Sequence, residues 1–118
     1  MDALLFTLLG LIAALHLWFL VLEMFLWRKP LGLKVFRMSQ EKADSSAVLA
    51  ANQGLYNGFL AAGLIWGMCP VEPAFYIRLF FLSCVAIAGV FGAATVSKRI
   101  FVIQALPALI ALAILFLK

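Results

Sequence analysis

Residues 51–64 read ANQGLYNGFLAAGL. Three side-chain amides and a tyrosine inside a run this apolar are what decide the fold. Wound as a helix at about 100° per residue, Asn52, Gln53, Tyr56 and Asn57 fill an arc of roughly 140°, with Asn52/Tyr56 and Gln53/Asn57 each one turn apart. Ala50, Gly54, Gly58 and Ala62 form a second stripe of small residues, and Leu55, Phe59 and Trp66 take most of what remains. Such a helix has a polar face for a bundle interior, a small-residue face for close helix approach, and a bulky face suited to lipid.

The rest of the chain fits that setting. Hydrophobic residues make up 67% of the 118 positions and charged residues 12%, against roughly 25% charged in an ordinary soluble domain. Apolar runs at about residues 3–27, 47–68, 74–96 and 100–117 each approach the ~20 residues that cross the hydrocarbon core. The fold class expected is therefore all-α, an integral-membrane four-helix bundle forming one domain over residues 1–118. Only the connection from Arg28 to Ser46 is long enough to hold anything further, and it is too short for a core of its own. The first run opens on Met1-Asp2 rather than on a basic region and exceeds the usual apolar stretch of a signal peptide, so it reads as retained. Cys69 and Cys84 fall at depths about 15 Å apart on their helices, too far for a disulfide.

Basic residues fix the expected orientation. Arg28, Lys29, Lys34, Arg37 and Lys42 lie in the first connection and Lys98 and Arg99 in the third, whereas only Arg78 and Lys118 lie on the opposite side. By the positive-inside rule the first and third connections are cytoplasmic and both termini are outside. The formal charge of +4 has this membrane explanation and is no nucleic-acid footprint. Trp27-Arg28-Lys29-Pro30 reads as the end of the first helix, Pro70 and Pro73 bracket an outer turn, and Ser39 with Glu41, or Asp44 with Ser45, can cap the second helix. Arg78 reads as an anchor reaching the outer headgroups.

On this topology the polar groups gather at one depth. Glu23 is one turn from the inner end of the first span, Asn52, Gln53 and Asn57 occupy the inner half of the second, Thr95 ends the third, and Gln104 is one turn into the fourth. His16 and Glu23 are seven residues apart on one face. A carboxylate at this depth is expensive unless it is neutral, paired with a donor, or open to a wet cavity; Asn52, Gln53, Gln104 and the basic groups near the inner surface are the donors expected for Glu23. Pro107 removes the N–H that would bond to Ile103, so a kink coincides with Gln104. The ligand-binding candidates are Glu23, Asn52, Gln53, Tyr56, Asn57, Gln104 and His16. Each has a plain alternative, since amides within membrane helices also hold helices together and a lone His also serves as a bundle residue. No metal site is expected, because there is no second His and no Cys/His spacing, and no catalytic triad or nucleotide fingerprint is present.

Four segments together carry a resemblance: H-x6-E-M-x2-W from His16 to Trp27, ANQGLYNGFLAAGL from Ala51 to Leu64, AGVFGAAT from Ala88 to Thr95, and QALPA from Gln104 to Ala108. They closely resemble a family of small bacterial integral-membrane proteins known as a domain of unknown function, number thirteen-oh-four. That resemblance implies a multi-pass protein of the bacterial inner membrane and brings no activity. More distantly, the chain is similar to the membrane-associated eicosanoid and glutathione metabolism proteins, which have four helices, a long cytoplasmic first loop and a polar second helix. Members commonly form trimers that hold glutathione and a lipophilic substrate between subunits. Their second-helix pattern R-x2-N-x2-E falls here on Leu49, Asn52 and Leu55, so Asn52 alone is retained. Glutathione or another small thiol is the cofactor that this resemblance implies.

The leading expectation is a small membrane protein that binds a lipophilic or amphipathic molecule in the cytoplasmic half of the bundle, a glutathione-transferase-like membrane enzyme being one form of it. Glu23 would be its acid, base or charge partner, and the amides would orient the ligand. Competing with it are a proton-coupled small multidrug-type exporter, which also places a Glu on the first helix, and a structural subunit whose polar groups only specify packing. A homo-oligomer is expected, a trimer before other states, because the second helix has more protein-facing surface than one bundle hides.

Overall fold

The computed structural model describes residues 2–117; Lys118, counted above among the outer basic residues, lies outside them. Among the described residues the structure is all-α, without a strand. The elements are α1 (Ala3–Met24), α2 (Pro30–Phe36), α3 (Gln40–Met68), α4 (Ala74–Thr95), a π turn (Phe101–Ala105) and α5 (Leu106–Leu117). Two helices, α1 and α4, are long and apolar enough to cross a membrane. The other two expected spans differ for separate reasons. The middle of α3 is interrupted by its amides, and the apolar helix Phe101–Leu117 is shorter.

The first connection holds α2, a helix that its proline hides in the sequence. Pro30 reads as a stop, yet it occupies the first turn of α2, where its fixed φ suits the helix and its missing N–H costs nothing. The helix ends at Arg37 in the left-handed region, φ 52°, with the Arg37 N–H bonded to the Leu33 carbonyl. The Met38 N–H also reaches Leu33 O, at 3.1 Å, so two N–H groups close the helix end. Of the two caps considered for α3, Ser39 is the one formed, its Oγ accepting the Lys42 N–H at 3.1 Å.

Along α3 the buried and half-buried positions include Ala43, Ala47, Ala50, Gly54, Asn57, Ala61 and Leu64. Their spacing alternates four and three, the 3.5-residue period of a coiled-coil seam. The expected stripe of every fourth residue instead precesses around a 3.6-residue helix, which is why Gly58 is half-buried and Ala62 exposed. On α1 the same alternation links Leu5, Leu9, Ile12, His16, Phe19 and Glu23, all buried or half-buried.

The chain forms two compact units, Met1–Ala14 with Leu60–Lys118, and Leu15–Phe59. In the first, Leu5, Leu9 and Ile12 of α1, Leu64 of α3, Leu82 and Val85 of α4, and Ala108 and Leu115 of α5 share one core. A Cβ on Gly89 would meet the backbone of Ala105, so α4 and the π turn touch main chain to main chain. The kink expected at Pro107 takes the form of this π turn, closed by the Leu106 N–H on Phe101 O. Arg78, expected as an outer anchor, donates its Nε–H to Gly67 O at 2.6 Å, satisfying a terminal carbonyl of α3. Cys69 and Cys84 are free thiols.

In the second unit α3 lies against α1 through its small residues. A Cβ on Gly54 would meet Met24 Cγ at 2.6 Å and Glu23 Cβ at 3.1 Å, and one on Gly58 would meet Leu20 Cδ1 at 2.8 Å. Gly32 brings α2 equally close to the end of α1, where a Cβ would run into the carbonyl oxygens of Leu26 and Trp27.

Candidate functional site

The close approach at Gly54 brings the facing polar groups of α1 and α3 within reach of each other. Asn57 Nδ2 donates to Glu23 Oε1 at 2.5 Å, and the pair is partly buried. Both residues occupy seam positions; Glu23 is itself part of the Gly54 contact and Asn57 lies one turn along α3 from it, so the bond forms beside this close approach. A polar residue at a seam position fixes register at some cost in stability. A carboxylate left without a donor here would cost more than the bond itself contributes.

Next to this pair a cavity of about 670 Å3 is lined by Glu23, Met24, Phe25, Trp27, Arg28, Lys29, Gln40, Asp44, Ala47, Val48 and Ala51. Its walls come from the end of α1, the turn that follows it and the first three turns of α3. Trp27 is held on both sides, its Nε1–H donating to Ser46 Oγ at 3.1 Å and its ring tilted over Phe36 with centroids 4.7 Å apart. Gln40 closes the polar edge, donating from Nε2 to Asp44 Oδ1 at 2.9 Å and to Arg28 O at 3.4 Å. Among the described residues, the Arg28 and Lys29 side chains have no carboxylate within ion-pair distance. The wall formed by Met24, Phe25, Ala47, Val48 and Ala51 is apolar. A molecule in this cavity therefore meets hydrocarbon on one side, and two cations, a carboxylate pair and an amide on the other.

The remaining sequence candidates divide. His16 is fully buried, its ring edge-on to Phe19 with centroids 5.6 Å apart. Asn52, Gln53 and Tyr56 are exposed on α3, and Tyr56 makes an edge-on contact with Phe59. Gln104 belongs to the other unit, half-buried within the π turn. The Thr95 hydroxyl donates to Phe91 O of its own helix at 2.7 Å. Trp27, Gln40 and Asp44 line the cavity without having been singled out for it. The i, i+4 pairing of Gln40 with Asp44 is the sequence signal that could have drawn attention there. Among the described residues no three or more His, Cys, Asp or Glu side chains gather to hold a metal.

Residues 10–116 match the family described as protein of unknown function (DUF1304). The chain belongs to this family. The matched region includes Glu23, Asn57, every residue of the cavity wall and the Gln104–Pro107 turn. The chain is similar to uncharacterized protein YpaA of Lactococcus lactis subsp. lactis (strain IL1403), 31% identical over 107 residues that cover 88% of this chain and 90% of that protein. No solved structure matches the chain. As a DUF1304 protein it comes with no activity attached, so the chemistry of the cavity is the guide to function.

Proposed function

We propose that this DUF1304 protein is a multi-pass protein of the bacterial inner membrane that binds an amphipathic small molecule at the cytoplasmic end of α1 and α3. Support for the membrane setting comes from large apolar side chains left exposed on the two candidate spans, among them Leu11 at 62%, Phe80 at 62% and Ile87 at 70%. A water-facing surface does not tolerate such a density of them. The charge distribution favours cytoplasmic first and third connections and outward termini.

The observation that carries the ligand reading is the two-sided wall of the 670 Å3 cavity. Its volume suits a small molecule. Arg28 and Lys29 match an anionic head, Glu23, Gln40 and Asp44 supply hydrogen-bonding groups beside it, and Phe25 and Val48, both exposed, continue the apolar wall outward for a chain or ring. Mass spectrometry of protein extracted in a mild detergent tests it. A single amphiphile should be retained by the native chain and lost from an Arg28→Ala, Lys29→Ala variant. Identical lipid profiles for the two proteins would reject the site.

A structural role is the second reading, favoured by the position of the Glu23–Asn57 bond in the seam, where it serves register alone. In that case the pair contributes to stability while filling the cavity with a bulky residue, as in Ala51→Phe, leaves growth and retained molecules unchanged.

A further inference from the structure

The buried seam of α3 has a counterpart on its opposite side. Ser45, Leu49, Asn52, Tyr56 and Phe59 also follow the alternation of four and three, centred about 160° around the helix from the Ala43–Asn57 seam. All five are exposed, Leu49 at 72%, Tyr56 at 54% and Phe59 at 55%. One helix thus bears two coiled-coil seams back to back, and within its unit only one is occupied.

The middle of the open seam is polar in a way that lipid cannot satisfy. Asn52 has no hydrogen-bond partner among the described residues, and its amide needs both an acceptor and a donor. Hydrocarbon offers neither, but a second amide offers both. In the orientation proposed above the one-sided basic connections give every copy the same direction, so two copies of α3 that meet on this stripe run parallel. Equal positions then face each other across a two-fold axis, and the amide at the centre meets its own counterpart. A lone Asn at a seam position of parallel helices specifies register and partner number in this way.

We propose that a second copy of this chain covers the Leu49–Asn52–Tyr56 stripe, forming a symmetric pair in which Asn52 is bonded to its counterpart at the axis. The placement is independent of the cavity, which lies on other residues of the same unit, and rests on the membrane setting of α3 and the single orientation proposed above. Single cysteines introduced at Leu49, Asn52, Tyr56, Leu55 and Ile87, with Cys69 and Cys84 replaced by Ser, test it by oxidative crosslinking in native membranes. Disulfide-linked dimer is expected at Leu49, Asn52 and Tyr56 at several times the yield at Leu55 and Ile87, which are exposed but off the stripe. Equal yields at all five, or none at Asn52 when the thiol is shown to be reactive, would overturn it. Native mass spectrometry of the unsubstituted chain should show a dimer; monomer only, or a trimer, would also overturn it.

Discussion

Asn57→Ala should destabilise the protein out of proportion to the atoms it removes. Alanine suits the α3 seam, whose neighbouring positions are Ala50, Gly54 and Ala61, so helix packing survives. What is lost is the donor that reaches Glu23 Oε1 at 2.5 Å. A half-buried carboxylate deprived of its partner costs about 1–3 kcal/mol, and Glu23→Ala should cost a similar amount by stranding the Asn57 amide. Removing both leaves nothing stranded, so the double variant should lose less than the sum of the singles, with a coupling of about 0.5–3 kcal/mol. Reversible unfolding in mixed micelles, followed by helical circular dichroism, measures all three against Leu55→Ala as an exposed neighbour. Losses that add to within about 0.5 kcal/mol, or an Asn57→Ala loss no larger than that of Leu55→Ala, would refute the bond as a stabilising contact.

Two further outcomes follow from the helix contacts and the charge distribution. Gly89→Ala places a Cβ within 2.8 Å of three Ala105 atoms, two of them backbone, and should cost about 1–3 kcal/mol by overpacking. Gly10→Ala meets only the flexible end of Met68 at 3.5 Å and should instead gain up to about 1 kcal/mol of helix propensity; the same unfolding assay ranks them. In intact cells, single cysteines at Ser39 and Ser97 should resist an impermeant thiol reagent while one at Glu72 reacts. The reverse pattern would invert the topology.

The four long helical stretches were legible, unlike α2, because apolar runs and their charged ends carry the information locally. Glu23 and His16, seven residues apart, likewise declared their shared face. The partner of Glu23 was harder to read. Asn52, Gln53 and Gln104 were the donors expected, but Asn57 makes the bond, because a 3.5-residue seam of alanines and glycine sets how α3 turns toward α1. Small residues give weak periodic signals, so the seam is plain only once burial is known. The cavity was less legible still. Its walls come from the turn after Met24 and the first turns of α3, and Trp27 in that turn rests on Phe36 of α2, a helix that begins at the proline a sequence reading takes as an end. Pro107 announced a disturbance near Gln104, but not that a π turn would absorb it.

Occupancy of the cavity beside Glu23 is best read from Trp27, which lines it. With Trp18 and Trp66 replaced by Phe, Trp27 is the sole indole, and an anionic amphiphile with a brominated chain can be titrated against its fluorescence in detergent. Quenching should saturate at one molecule per chain and should become weak and linear in an Arg28→Ala, Lys29→Ala variant. Linear, unsaturable quenching of equal slope in both proteins would mean that the amphiphile only partitions into the micelle, and would contradict a binding site at this position.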